Sequence, residues 1–321
     1  MTNFSVERSR KLRKLIIISG ATATGKTALS IELAKKFQGE IISADALQVY
    51  KYMDIGTAKP TKEELQDIPY HLIDILLPDE PFDLYQFVKR ADKLIEEISN
   101  RGKIPIVTGG TCLYIRGLIW GIAEELSPPD YELRRELEAM EKEKGEGYLH
   151  KKLLEVDPET AGRLHPRDLV RIVRALEVYY KTGIPISEIQ KRHGFSSKRY
   201  DYLWIVLDAD RKFLKERIYQ RTKKMIERGL IEEVRSLLEM GYSLKDKPMR
   251  SIGYRHVIDY LKGNYDTIED LIEKITIDTY RFSNRQRRWL KKEKGELHWI
   301  YIDKDNYKEQ IYSLIERFLE G

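Results

Sequence analysis

Short apolar runs alternate with amphipathic helical patterns, glycine turns follow two of those runs directly, and a Glu/Lys/Arg-rich stretch interrupts the middle of the chain. Together these predict an α/β fold, a three-layer sandwich with a parallel sheet, plus a helical insertion. The runs at residues 15–19, 40–43, 71–76, 104–108, 203–207 and 297–302 read as buried strands. Behind the first, Leu29, Leu33 and Phe37 recur at i, i+4 and i+8 on one helix face. Residues 87–98 read as another helix. The strand pattern stops near Gly121. Ser127-Pro128-Pro129-Asp130 reads as a helix entry. Over 166–181, Leu169, Ile172, Val173, Leu176 and Tyr180 share a face, and Thr182-Gly183 reads as the stop. That helix has two possible seats, in the insertion or on the core. The strand pattern resumes at Tyr202. The expected division is a core over 1–121, a helical insertion over 122–198, and the rest of the core with C-terminal helices over 199–321.

The 321 residues carry 57 basic and 52 acidic side chains, for a net charge of +5. This mild bias permits a nucleic-acid partner without requiring one. Cys112 is the only cysteine, so no disulfide within the chain and no Cys-based zinc site can form. The apolar run after the basic start (Arg8, Arg10, Lys11, Arg13, Lys14) is too short for a signal peptide or a membrane span. A soluble cytoplasmic protein with a frayed basic tail is expected.

The first apolar run enters Gly20-Ala21-Thr22-Ala23-Thr24-Gly25-Lys26-Thr27. A G-x-x-x-x-G-K-T loop between a strand and an amphipathic helix makes the fold P-loop NTPase-like. Gly20 and Gly25 let successive N–H groups turn inward. The helix start adds its positive dipole end. Lys26 supplies a mobile charge, and the Thr27 hydroxyl can hold Mg²⁺. ATP or GTP is the default ligand, but any diphosphate satisfies the same donors.

Asp45 follows the second run, at the strand end where ligands of open α/β sheets bind. It reads either as a turn or N-cap residue or as a general base. Residues 46–60 mix polar and aromatic side chains, which suits a base-reading surface. The fourth run ends in Gly109-Gly110-Thr111-Cys112. Its glycines permit close approach of a ligand or another backbone. Thr111 is either a helix N-cap or a hydrogen-bonding group in the cleft. Cys112 reads as a small buried residue rather than a nucleophile.

Three strings occur in order: G-A-T-A-T-G-K-T, D-A-L-Q-V-Y-K-Y-M-D-I-G-T-A-K-P and G-G-T-C-L-Y. Later come V-D-P-E-T-A-G-R-L-H-P-R-D-L-V-R-I-V-R-A-L-E-V-Y and R-S-I-G-Y-R. From about residue 15 to about residue 292 the chain resembles the tRNA isopentenyltransferase family, also called tRNA dimethylallyltransferases. The resemblance implies transfer of the dimethylallyl group of dimethylallyl diphosphate to the N6 amine of the adenosine 3′ to the tRNA anticodon. It implies that residues Gly20 to Thr27 hold the donor's diphosphate, with Mg²⁺ on Thr27. It makes Asp45 the general base, Thr111 a residue that orients the target base, and Arg221 a ligand of the leaving diphosphate. Contacts with the tRNA anticodon stem-loop are implied for the turn Asp45, Ala46, Leu47 and Gln48, and for Thr111 and Arg134. They are also implied for Val170, Arg171, Ile172, Val173 and Arg174, and for Arg250, Ser251, Ile252, Gly253, Tyr254 and Arg255. The insertion becomes a tRNA-binding domain, and a monomer is expected.

Ala21, Thr24, Ala46 and Cys112 depart from the family's commoner Pro, Ser, Ser and Gly. The C-terminal R-Q-x-x-W string ends at Trp289, and no zinc finger follows, which matches the bacterial type. Arg281, Arg285, Arg288 and Lys292 fall on one helical face near Trp289 and read as a basic surface. Three rivals stand beside this reading: a P-loop small-molecule or nucleotide kinase, an adenylate isopentenyltransferase, and an RNA-binding module with a relic loop.

Overall fold

A computed structural model describes residues 12–126 and 128–321. Arg8, Arg10, Lys11 and Ser127 lie outside the described residues. Lys14 Nζ caps the last helix, donating to the carbonyls of Phe318 at 2.7 Å and Leu319 at 2.9 Å.

Six parallel strands form one sheet: β1 Lys14–Gly20, β2 Gly39–Ser43, β3 Tyr70–His71, β4 Ile104–Thr108, β5 Asp201–Asp208 and β6 Leu297–Tyr301. Their order is β3-β2-β4-β1-β5-β6, with β1 central. Leu15, Ile16, Ile17 and Ile18 are fully buried, because helices cover both faces of a parallel sheet. Ile18 stands level with Thr108 on one side and Ile205 on the other. The core under the first helix, Lys26–Lys36, contains Leu29, Leu33, Ile41 and Ile106.

The expected strand at 71–76 is corrected. Only Tyr70 and His71 pair with β2. Leu72 and Asp74 take positive φ values of 60° and 54°, which ends an extended strand. The backbone amides of Asp74, Ile75 and Leu76 turn instead onto the carbonyls of Gln48 and Val49. This loop therefore braces the segment after Asp45.

The chain divides into two compact units: residues up to Ile119 together with Arg199–Gly321, and Trp120–Lys198. In the second unit, helices Tyr131–Lys144, Tyr148–Val156, Pro158–Arg163, Leu169–Thr182 and Ile186–His193 surround Leu137, Leu153, Ile172, Val173 and Leu176. The helix spanning 169–182 thus has its seat in this unit's core. Asp130 caps the helix Tyr131–Lys144 by accepting from the Leu133 N–H, and Gly183 ends the helix Leu169–Thr182 in the left-handed region.

Candidate active site

The loop after β1 is held in an open curl by its own groups. A Cβ on Gly20 would stand 2.2 Å from the Leu207 carbonyl oxygen, so only glycine fits there. Gly25 takes φ 85° at the N-cap of the next helix, and Ala23 takes φ 67°. The Thr24 hydroxyl donates to the Ala21 carbonyl at 2.8 Å, and Lys26 Nζ donates to the same oxygen at 2.7 Å. Burial, with the nearby Arg221 charge, lowers the Lys26 ammonium to about 8, against the opposing pull of Asp45. An anion here would relieve that strain on the charge.

The loop lines a cavity of about 950 Å³, and Asp45 lines it too. Asp45 Oδ1 accepts the N–H groups of Leu47 at 2.9 Å and Gln48 at 3.4 Å. Among the described residues no hydrogen-bond donor meets its Oδ2. Asp45 is therefore both a turn residue and a carboxylate facing the loop's cavity. Thr111 does not line the cavity. Its hydroxyl oxygen accepts the Ala46 N–H at 3.1 Å, and its own N–H donates to the Ala44 carbonyl at 3.2 Å. It ties the glycine turn to the Asp45 turn. Gly109 packs on Ala44, where a Cβ would come within 2.2 Å of the carbonyl oxygen.

The helix Arg211–Glu227 also lines the cavity. Arg217, Arg221, Lys224 and Arg228 line the cavity at i, i+4, i+7 and i+11, Arg228 lying just past the helix end. Arg221 Nη1 donates to the Thr22 hydroxyl at 2.9 Å, and Arg217 Nε donates to the Ala23 carbonyl at 2.8 Å. Sequence reasoning found Arg221 through resemblance and missed Lys224 and Arg228. The signal was their helical spacing.

Gln286 was also missed, although its string was recognised. Its Oε1 accepts the Thr22 N–H at 2.9 Å, and its Nε2 donates to the Gly110 carbonyl at 2.9 Å. One buried amide thus joins both glycine turns. Trp289 sits under the Arg116 guanidinium at 5.1 Å and donates to Glu293 at 3.1 Å. Arg281, Arg285 and Arg288 are exposed on the helix Ile268–Leu290, while Lys292 lies beyond its end.

Burial pushes the Cys112 thiol up to about 11, so it carries little thiolate near neutrality. Native protein at pH 8 is expected to react with a thiol reagent at least about tenfold more slowly than unfolded chain. Equal rates in a colorimetric thiol assay would contradict this.

The remaining expected contacts lie elsewhere. In the helical unit, Arg134 and Arg174 both reach Glu177 Oε2 at 2.8 Å. Burial opposes the charge of Glu177, but hydrogen bonds from Arg174, the Asp130 amide and Arg134 outweigh it and hold the carboxyl below its ordinary range. Val170 is 80% exposed and Arg171 is exposed, whereas Ile172 and Val173 point into the unit's core. The side chains of Ile172 and Val173 therefore pack inside the unit, while Val170 and Arg171 face outward.

Residues 250–255 do not line the cavity. Arg250 is exposed, and Arg255 pairs with Asp278 at 2.9 Å. Ser251 donates to the Pro248 carbonyl at 2.6 Å; Ile252 is half-buried and Gly253 buried. Tyr254 is fully buried, fills the space over Gly56, and donates to Glu233 at 2.6 Å. Glu233 also accepts the N–H groups of Asp54, Ile55 and Gly56, so these two residues clamp the D-I-G-T-A-K-P loop against the cavity.

Among the described residues there is no cluster of three or more His, Cys, Asp or Glu suited to a metal. The cavity wall offers the Thr27 hydroxyl and the Asp45 carboxylate. That sparse set fits Mg²⁺, which keeps several waters and shares phosphate oxygens with a substrate.

A parallel sheet, a Gly-Lys-Thr loop at the tip of its central strand and a carboxylate after β2, two strands along with β4 between, define a P-loop enzyme acting on a phosphorylated compound. Residues 48–293 match the family model described as IPP transferase. A tRNA dimethylallyltransferase of Caldanaerobacter subterraneus subsp. tengcongensis is 42% identical over 310 residues, 96% of this chain and 98% of the relative. One from Carboxydothermus hydrogenoformans is 46% identical over 308 residues, 95% of this chain and 96% of the relative. The crystal structure of a full-length tRNA isopentenylpyrophosphate transferase from Bacillus halodurans superposes with a TM-score of 0.70 at 38% identity, covering 96% of this chain and 97% of that one. A eukaryotic dimethylallyltransferase acting on tRNA gives a TM-score of 0.83 at 30% identity, covering 96% of this chain and 80% of that one. The chain belongs to the IPP transferase family, with the tRNA dimethylallyltransferases of bacterial type. The kinase, adenylate and non-enzymatic alternatives fall away.

Proposed function

We propose that this chain moves the dimethylallyl group of dimethylallyl diphosphate to the N6 amine of the adenosine 3′ to the anticodon of tRNA, releasing diphosphate. One observation carries the reading: the phosphate loop, Arg221 and Asp45 line one cavity.

The loop's N–H groups, Lys26 and Arg221 take the negative charge that gathers on the leaving diphosphate. The N6 amine is a poor nucleophile until its bond to carbon begins to form. Its proton then becomes acidic enough for a carboxylate such as Asp45 to accept. Thr111 positions this base through the Ala46 N–H. The family's reaction is divalent-metal-dependent; Mg²⁺ is the ion proposed, held at Thr27, and when bound it neutralises diphosphate charge.

The adenosine must leave its stack, which costs a few kcal/mol. Exposed cations outside the cavity offset that cost: Arg171 and Arg250, with Arg281, Arg285 and Arg288. Among the described residues no helix is long and apolar enough to cross a membrane. A cytoplasmic monomer is the form proposed.

The test is incubation with dimethylallyl diphosphate and unmodified tRNA, followed by mass analysis of the nucleosides. A dimethylallyl-adenosine at the position 3′ to the anticodon is expected, and an unmodified digest would overturn the reading. Affinity for tRNA is expected to fall about tenfold or more between roughly 50 and 200 mM salt, and a flat response in a filter-binding titration would argue against an RNA partner.

A further inference from the structure

Gln286 sits where two chains of hydrogen bonds meet. It lines the cavity with only 6% of its surface exposed. Its amide fits one way round, since an N–H needs the oxygen and a carbonyl needs the NH₂ group. Oε1 therefore takes the Thr22 N–H and Nε2 serves the Gly110 carbonyl, both at 2.9 Å. A Cβ on Gly110 would stand 2.5 Å from Nε2, so glycine at that position makes room for the amide.

The first chain runs to the leaving group. Thr22, gripped at its N–H by Gln286, accepts the Arg221 guanidinium on its hydroxyl at 2.9 Å. The second runs to the base. Beside Gly110, Thr111 accepts the Ala46 N–H at 3.1 Å and donates its own N–H to the Ala44 carbonyl at 3.2 Å. Ala44 and Ala46 flank Asp45. The helix that carries Gln286 has a separate anchor: Arg287 donates to Asp208 Oδ2, at the end of β5, at 3.1 Å from Nε and 2.9 Å from Nη2. Losing the Gln286 amide therefore frees the two glycine turns from each other without freeing the helix.

We propose that Gln286 is a positioning residue that fixes the spacing between Arg221 and Asp45, and so between the leaving diphosphate and the base. The inference rests on the reading that both act in one alkyl transfer. Reacting atoms must be held about 3–3.5 Å apart, and a misplacement of about 1 Å costs on the order of 10²-fold in rate. The loss falls on rate rather than on binding, because the Thr22 N–H points at Gln286 and is not one of the donors left for diphosphate.

The test uses the full chain with saturating dimethylallyl diphosphate and tRNA in single turnover, beside separate titrations of diphosphate and of tRNA. Gln286→Met, which keeps the length and lacks both bonds, is expected to slow alkyl transfer by about 10²-fold and to leave both affinities near wild type. Gln286→Glu carries a signature that packing alone does not produce. Its carboxylate still accepts the Thr22 N–H but opposes the Gly110 carbonyl, whereas its protonated form offers an oxygen and an O–H and restores both bonds. Its rate relative to wild type at the same pH is expected to climb by up to about tenfold per unit from about pH 8 toward about pH 5 and to approach one, while the Gln286→Met ratio stays flat. Lys26, Asp45 and Arg221 share the cavity in both proteins, so the ratio removes their titration. Gly110→Ala, which sets a methyl against the amide, is expected to match Gln286→Met and to add nothing to it in the double variant, and it serves if Gln286→Met fails to fold. Three outcomes overturn the proposal: a Gln286→Met rate within about threefold of wild type, a loss of affinity that accounts for the slower rate, or a flat Gln286→Glu ratio. Wild type that makes no dimethylallyl-adenosine sinks the function instead, and wild type that alkylates while the variants keep pace sinks only the role of Gln286.

Discussion

Asp45→Asn is expected to slow alkyl transfer by about 10²–10⁴-fold while tRNA binds with nearly wild-type affinity. Asparagine is the sharper substitution because Oδ1 of Asp45 holds the Leu47 and Gln48 amides. An amide oxygen can keep those bonds, so the turn survives. What disappears is a lone pair basic enough to accept the N6 proton as the new bond forms. Single-turnover kinetics with saturating tRNA isolate this step from binding. A rate within about tenfold of wild type would remove Asp45 from its role and leave it a turn residue.

Lys26→Ala is expected to lower turnover by about 10²–10³-fold and to weaken diphosphate binding. The ammonium sits on the Ala21 carbonyl, poised beside the site of the leaving group. Its effect carries its own pH signature. Burial and Arg221 hold the free-state value at about 8. An anion favours the charged form, so the bound-state value is higher. Below pH 8 the lysine is already protonated, and affinity is flat. Above pH 8 binding takes up a proton, and affinity falls by up to about tenfold per pH unit until the bound-state value is reached. Calorimetry of wild type and Lys26→Ala across this range separates the charge from the fold. A wild-type profile that stays flat from pH 7 to 10, or a variant that keeps the decline, would assign the effect elsewhere.

The legible parts of the site were those with a local cause. A G-x-x-x-x-G-K-T string needs its glycines for backbone geometry, whatever surrounds it. Five of the six apolar runs became strands, with ends one or two residues from those expected, because burial on both faces demands continuous apolar sequence. The sixth, at 71–76, failed because two of its residues take positive φ, which composition does not reveal.

The illegible parts were long-range pairings. Gln286 meets Thr22 from 264 positions away and Gly110 from 176. No periodicity carries such a contact. Ile172 and Val173 lie in a string read as touching RNA, and their burial follows from which helix face the unit's core claims.

By itself the sequence determined a parallel sheet, an anion-cradling loop at its first strand and an acid after its second, since each depends on neighbours only a few residues apart. Tertiary structure alone decided which groups share the cavity and which cations stay exposed. Hydrogen bonds and burial there depend on distances in space between elements that the chain order keeps far apart.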